Sequence, residues 1–151
     1  MEVHLPKTIE IIDAYAFQYC KSLRTISFAG ESRLKEIKDA AFYQSGIASI
    51  SLPKSLCSIG NSAFLGSSLA EVRIPSNVQT IGKNAFENCQ WLQKVTFESE
   101  SRLQVIESQV FKNTGLTSVC IPPSVQIIGG HAFNNCSNLQ AVTFGEGSQL
   151  K

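Results

Sequence analysis

The sequence predicts an α/β repeat solenoid: a right-handed coil of about six units of 22–25 residues, with a parallel β-sheet on one face and short helical or 3-10 turns elsewhere. Two observations predict it. A phenylalanine recurs every 22 or 25 residues, and a short β-like segment follows each one at a nearly constant distance. Self-similarity at a period of about 20–50 residues is typical of repeat architectures, because a single unit cannot bury its own apolar face.

The recurring phenylalanines are predicted to anchor the interior. Alanine precedes five of the six, and Val110 precedes the other. The surrounding pattern I-G-x-x-A-F-x-x-C spaces apolar residues as a helical or 3-10 turn would, so we expect each ring to point into its turn. These predicted structural anchors are Phe17, Phe42, Phe64, Phe86, Phe111 and Phe133.

The segment after each anchor predicts a short strand, because it is period-two and rich in β-branched residues. Proline follows three of these segments and should end the strand, since it has no N–H to donate. We expect the strands to stack in parallel about 4.8 Å apart, with right-handed crossovers. The segments are Leu23–Phe28, Ile47–Leu52, Leu69–Ile74, Leu92–Phe97, Leu116–Ile121 and Leu139–Phe144.

A third recurring pattern, here called the third ladder, consists of two apolar residues three positions apart, the second of which is always five residues before the anchor phenylalanine. Glycine follows three of these pairs and predicts a bend there. Residues 26–64 also match residues 95–133 at an offset of 69, so units were copied in threes. We therefore predict a single array, built by addition. Because Phe144–Lys151 resembles Phe28–Lys35, we also expect a fragment of a longer protein. The predicted units are 3–25, 26–49, 50–71, 72–94, 95–118, 119–141 and a partial unit 142–151.

Composition limits the function classes. Thirteen basic and twelve acidic residues give a net charge of +1 and form no runs, so no nucleic-acid footprint is predicted. No stretch is long and apolar enough for a membrane span, and the first ten residues are not a signal peptide, so no targeting signal is predicted. P-loop, GxSxG and HExxH motifs are absent, and we predict no cofactor.

Five cysteines argue against a complete disulfide framework, because the count is odd. Cys20, Cys89 and Cys136 each follow an anchor by three residues, so we expect small buried side chains too far apart to bridge. Without a CxxC motif or a Cys/His cluster, no metal site is predicted. His4 and His131 are predicted to lie on the surface.

The pattern [Leu/Ile]-Pro-x-x-[Val/Leu]-x-x-Ile-Gly-x-x-Ala-Phe-x-x-Cys-x-x-Leu-x-x-Val, clearest in residues 74–95 and 121–142, resembles the BspA-like or Treponema-type leucine-rich repeats. The resemblance covers essentially the whole chain. Proline replaces the asparagine that follows the strand in ordinary leucine-rich repeats, and units two and five lack the cysteine. The resemblance implies a right-handed leucine-rich-repeat coil. It also implies a surface or secreted protein of a bacterium or parasitic protist that adheres to host proteins or cells.

Candidate binding residues lie at the strand positions that alternate with the apolar ones, because these should point outward. Glu71, Arg73, Lys94 and Thr96 cluster in the middle of this mostly small, hydroxylated face. Either the face is a solvated sheet with cross-strand pairs, or it recognises a partner. Cys120, on the same face, is either a reactive or intermolecularly paired thiol or a replacement for serine.

Two further positions are candidates for contact or modification. Trp91 is the chain's one tryptophan and occupies a slot that is small in the other units, so it either contacts a partner or packs over a loop. Asn135 begins an N-glycosylation sequon, although the predicted burial of Cys136 opposes its use.

These observations predict a non-enzymatic protein-binding module of a cell-surface or secreted adhesion protein, with a host surface or matrix protein as its partner. Alternatives are an intracellular interaction scaffold and, more remotely, a β-helix carbohydrate-active enzyme. The outward positions offer only one carboxylate, Glu71, and no catalytic pair. Open sheet edges at the ends also allow end-to-end self-association.

Overall fold

A computed structural model describes all of residues 1–151, which form a coil of stacked turns. Each turn carries a strand on one side, a second, shorter strand on the next side, and a tight turn on the third. Numbered in chain order, the strands are β1 Glu2–Leu5, β2 Ile11–Ile12, β3 Thr25–Phe28, β4 Glu36–Ile37, β5 Ser49–Ile50, β6 Ser58–Ile59, β7 Glu71–Ile74, β8 Thr80–Ile81, β9 Lys94–Phe97, β10 Val105–Ile106, β11 Ser118–Ile121, β12 Ile127–Ile128 and β13 Ala141–Phe144.

Two parallel sheets run the length of the coil. The odd-numbered strands form the first sheet, as β1-β3-β5 and β7-β9-β11-β13, and the even-numbered strands form the second, as β2-β4-β6-β8 and β10-β12. Glu2 lies opposite Thr25 and Glu71 opposite Lys94, one repeat apart. The predicted solenoid and its parallel sheet are confirmed. The second sheet was not predicted, because each of its strands has only two residues, which is too short for a period-two pattern to be recognised.

Proline controls how far each first-sheet strand pairs with the turn before it. Strands β3, β9 and β13 are followed by a residue whose N–H donates to that turn, as Glu98 N–H does to Ile74 O at 3.0 Å, and each pairs over four residues. The other three strands lead into Pro53, Pro75 and Pro122, which cannot donate. Their pairing falls to two residues for β3–β5 and one for β9–β11, and β5 and β7 are not paired.

The predicted helical or 3-10 turns are wrong, and with them the α component of the predicted class, because the chain contains no helix. The residues two before and two after every anchor phenylalanine have φ between 52° and 66°, in the left-handed region. A right-handed helix cannot pass through such residues. They are Tyr15, Ala40, Ser62, Asn84, Gln109 and His131 before the ring, and Tyr19, Gln44, Gly66, Asn88, Asn113 and Asn135 after it.

The left-handed residues take part in a further set of hydrogen bonds between turns, in addition to those of the two sheets. In every turn but the last, their N–H groups, and that of the phenylalanine between them, donate to carbonyls of the next turn. Phe42 N–H, for example, bonds to Ala63 O at 2.7 Å, and Ser62 N–H bonds to Lys83 O at 2.9 Å. The backbone groups of the tight turn are therefore satisfied along the coil axis and not within a helix.

The core is a column of stacked phenylalanine rings surrounded by aliphatic residues, in one cluster of 32 buried side chains. Successive rings lie 5.0–5.6 Å apart and within 16° of parallel. Four of the six rings are fully buried, whereas Phe17 and Phe133 are only partly buried because they belong to the first and last complete turns. The six phenylalanines that were predicted to anchor the interior thus form this column.

Candidate binding site

The outward side chains of the first sheet form a continuous polar surface, here called the strand face: Ser49, Ser51, Glu71, Arg73, Lys94, Thr96, Ser118 and Cys120. All eight are exposed, while the residues between them on β7, β9 and β11 point into the core. The alternation follows from the period of two along a strand. The structure therefore places five of the six predicted binding residues on one surface.

Four predicted residues meet in a central hollow of about 450 Å³ on the strand face. Glu71, Arg73, Lys94 and Thr96 line it together with residues 49–52. The hollow lies over the β5–β7 junction, where the two strands are not paired. The N–H groups of Ser51 and Leu52, which also line the hollow, donate to no backbone carbonyl.

Of the charged side chains in the central hollow, one forms an ion pair within the chain and two do not. Arg73 Nε donates to Glu98 Oε1 at 2.9 Å, and the more buried Glu98 also accepts from Ser76 N–H at 3.3 Å. Glu71 and Lys94 are register neighbours, yet their charged atoms lie beyond the 4.0 Å ion-pair distance. Both therefore remain free to meet charges on a partner, at little cost in fold stability.

Sequence reasoning missed Glu98, which fixes the orientation of Arg73. It follows the end of β9, outside the alternating strand positions from which candidates were taken. The repeat period was a usable signal, because residue 98 lies one turn beyond residues 74 and 76.

A second hollow of about 360 Å³ continues the strand face toward the last turns. Lys94 and Thr96 line it on one side, and Ser118 and Cys120 on the other, at the junction where β9 and β11 share a single residue pair. The thiol of Cys120 is exposed and unpaired. Lys94 and Thr96 border both hollows, which makes the strand face one surface.

Trp91 is 69% exposed, although Leu92 beside it is fully buried. It lines neither of the two hollows. The structure thus separates Trp91 from the other five candidates, and a role in binding remains a prediction for a different part of the surface.

The residue three places after each anchor forms an internal polar column that the sequence reasoning recognised only at the cysteines. Cys89 is fully buried, and its Sγ donates to Phe64 O at 3.0 Å. Desolvation raises the pKa of this thiol to about 11. Cys20 and Cys136 are only partly buried, because they lie near the ends of the coil. In the remaining turns the same position is occupied by Ser45, Ser67 and Thr114, the buried polar residues of the chain.

The remaining candidates lie apart from the strand-face hollows. Both histidines are exposed; His4 Nδ1 lies 2.6 Å from Ser27 Oγ, and His131 is one of the left-handed turn residues. Asn135 is exposed, and Cys136 beside it is partly buried. No group of three or more histidine, cysteine, aspartate or glutamate side chains is close enough to hold a metal ion.

A family model described as the BspA type leucine-rich repeat region matches six copies in this chain, over residues 1–104 and 104–150. The chain belongs to the BspA-type leucine-rich-repeat family. The matched residues contain the pattern of residues 74–95. The resemblance drawn from that pattern is therefore confirmed. None of the curated proteins matches the sequence.

Solved structures support the BspA-type coil. The pneumococcal vaccine antigen PcpA is 28% identical, with a TM-score of 0.88 over 97% of this chain and 41% of that one. A leucine-rich repeat protein from Bacteroides ovatus is 24% identical, with a TM-score of 0.61 over 100% of this chain and 59% of that one. The T. pallidum leucine-rich repeat protein is 24% identical, with a TM-score of 0.58 over 99% and 78%. This chain spans about two fifths of PcpA.

Three statements about function follow from membership in the BspA-type family. Its leucine-rich-repeat fold is consistent with a protein-interaction module, and such modules typically bind proteins. The family and its structural relatives are generally non-enzymatic repeat proteins. Separately, none of the chain's elements is a helix that could cross a membrane.

Proposed function

We propose that this array is the protein-binding part of a cell-surface or secreted adhesion protein, and that the strand face is its contact surface. The observation that carries the proposal is the central hollow, where Glu71, Arg73, Lys94 and Thr96 converge. Of the charges there, Glu71 and Lys94 have no ion-pair partner within the chain. Complementary charges of this kind steer association and select among partners.

The likeness to PcpA supports the surface part of the proposal. That protein is a pneumococcal vaccine antigen, and an antigen that antibodies reach is exposed at the cell surface or secreted. The non-enzymatic part is supported by the chemistry of the strand face. Its one outward strand carboxylate is Glu71, and the nearby Glu98 is held by Arg73, so no free pair of carboxylates faces the hollow.

Removing the three charges together tests the contact surface. In the triple variant that combines Glu71→Ala, Arg73→Ala and Lys94→Ala, we expect affinity for the protein partner to fall about 30-fold or more. The reason is that each truncated interface charge commonly costs on the order of 1 kcal/mol of binding free energy. The partner would be found by surface plasmon resonance against purified host matrix proteins and host-cell membranes. The free energy of unfolding should change by no more than about 1 kcal/mol, since all three side chains are exposed.

A matched control comes from the same chain. Glu36, Arg33 and Lys83 carry the same charges, are equally exposed and lie outside the strand face. Their triple alanine variant should bind as the unmodified protein does. Equal affinity for all three proteins would place the contact surface elsewhere, with the exposed Trp91 as the next position to substitute.

Location can be tested separately. Antibodies raised against residues 1–151 should label intact, unpermeabilised cells of the source organism or detect the protein in its medium. Labelling only after permeabilisation would contradict the adhesion role and favour the alternative of an intracellular interaction scaffold.

A further inference from the structure

The junction between turn four (β7 and β8) and turn five (β9 and β10) is open on the second-sheet side. At every other complete junction, the residue before the second-sheet strand accepts a backbone N–H from the next turn; Cys57 O, for example, accepts from Gln79 N–H at 2.9 Å. Gln79 O accepts none. The N–H groups of Gln104 and Glu107, which should cross this junction, donate to no backbone carbonyl, and β8 and β10 belong to separate sheets.

A surface cavity of about 510 Å³ begins at this junction and extends over the following turns, on a different side of the coil from the strand face. Its seven lining residues include no apolar side chain. We call it the glutamine cleft, because Gln79, Gln104, Gln126 and Gln149 line it together with Arg102 and Ser124. Its volume is in the range of about 300–1,000 Å³ that is usual for small-ligand sites.

The glutamines recur in register. Gln79, Gln104 and Gln126 occupy the same position in successive turns, where the two preceding turns have Lys35 and Cys57. Each primary amide offers both donors and an acceptor. Across the four glutamines only one side-chain contact is made, between Gln126 Nε2 and Gln149 Oε1 at 3.5 Å. Most of this hydrogen-bonding capacity is therefore unused within the chain.

Ser124 is a lining residue whose hydroxyl, like that of Ser45 in the core, is unpaired. Its Oγ is buried and has no hydrogen-bond partner. Its counterpart at the 69-residue offset, Ser55, donates from Oγ to Ser32 O and is also 2.8 Å from Leu34 O. A buried unpaired hydroxyl costs free energy, and native proteins keep few of them. The copied position has thus lost its internal partners inside a polar cleft.

We propose that the glutamine cleft binds a saccharide that carries carboxylates. Sugar hydroxyls donate and accept in several directions, which suits a set of amides, a hydroxyl and unpaired backbone groups. Arg102 is the one charged lining residue, and a guanidinium binds a carboxylate in a bidentate geometry. A peptide is disfavoured, because peptide grooves gain specificity from pockets for side chains, and this lining has none. The proposal is independent of the strand face.

An NMR titration of the ¹⁵N-labelled protein tests the proposal. The acidic probe is a hyaluronan-derived tetrasaccharide, and the neutral probe is a chitin-derived tetrasaccharide. The side-chain amide resonances of Gln79, Gln104 and Gln126 should shift with the acidic probe, and Arg102→Gln should raise its Kd roughly tenfold. Ser124→Ala should leave the melting temperature unchanged or higher, because it removes an unpaired hydroxyl.

Gln93→Ala is the matched control, since Gln93 is an exposed glutamine outside the cleft, and it should leave the titration unchanged. Three results would overturn the proposal. The first is no shift of these amides at about 10 mM acidic probe, a concentration that would reveal even millimolar affinity. The second is equal affinity for the neutral probe or for Arg102→Gln. The third is stronger binding of tetraglutamate than of the tetrasaccharide at the same amides.

Discussion

The position three residues after each core phenylalanine is filled by different residue types of similar size. Cysteine, serine or threonine occupies it in every turn because each is small. Cys89 Sγ donates to a phenylalanine carbonyl, whereas Ser45 Oγ is buried and has no hydrogen-bond partner. Thr114 Oγ1 donates to Phe111 O at 2.9 Å, and Cys136 Sγ donates to the same carbonyl at 3.1 Å. What the position selects is a small side chain, so the thiol itself is replaceable.

The buried thiol of Cys89 makes the fold sensitive to alkaline pH. Burial raises its pKa from an ordinary value of 9.0 to about 11, so the unfolded chain loses this proton first. Its contribution is complete below pH 9 and is lost as the pH rises toward 11. We expect the unmodified protein to lose on the order of 2 kcal/mol of unfolding free energy across that window relative to Cys89→Ser.

Urea unfolding of both proteins at pH 8, 9, 10 and 11 measures this difference, and the Cys120→Ser variant controls for an exposed thiol. Parallel pH profiles for Cys89→Ser and the unmodified protein would show that Cys89 titrates normally in the folded state.

The tight turn is an element in which backbone conformation outweighs side-chain identity. Two left-handed residues flank every ring, and they direct N–H groups toward the next turn. Asparagine and glycine tolerate this region well, and they fill five of the twelve positions. Residues as different as Ala40 and Tyr19 fill others, so the bonds between turns must offset the strain.

Ser62 allows a clean test of this turn, because its φ is 53° and its side chain makes no hydrogen bond. Ser62→Val should lower the free energy of unfolding by about 1–2 kcal/mol, since a β-branched residue is strained in the left-handed region. Ser62→Gly should be neutral or stabilising, because glycine meets no such strain. Thermal and urea unfolding of both variants provide the measurement.

The control is Ser68→Val, at a partly buried serine that is not left-handed. Its loss should be much smaller than that of Ser62→Val. If valine were equally tolerated at both serines, the left-handed turn would not be the conformation in solution.

Sequence alone predicted the elements that repeat with constant residue types. Phe86 and Val95 recur as phenylalanine and a β-branched residue in almost every unit, so the ring column and the first sheet could be foreseen. The left-handed residues could not, because the conformation is constant while the side chain changes from Tyr15 to Ala40 to Asn84. The open junction at Gln104 was also unpredictable, since its counterpart Lys35 pairs normally.

The candidate site was predicted in part for the same reason. Alternation along a strand gave Glu71, Arg73, Lys94 and Thr96, which the structure brings into one hollow. Contacts between turns are invisible to a reading along the chain, and these decide that Glu98 holds Arg73 while Trp91 stands apart.

At the scale of the whole molecule, each turn packs only on its neighbours, so the array depends on continuity from turn to turn. The two sheets are interrupted at different junctions, the first between β5 and β7 and the second between β8 and β10. The ring column and the ladder of the tight turns cross both; Phe64 N–H bonds to Ala85 O at 2.8 Å, and Phe86 N–H to Val110 O at 2.9 Å. One sheet remains paired at each of these junctions, and these two features continue across both.

The most direct test of this account is the free energy of unfolding of Phe86→Ala, measured by urea denaturation. Phe86 is fully buried and lies 5.3 Å and 5.6 Å from the rings on either side, so its loss should cost about 3–5 kcal/mol. Phe133→Ala, at the partly buried end of the column, should cost clearly less. A near-neutral Phe86→Ala, or an equal loss at both positions, would contradict a coil built around a continuous phenylalanine column.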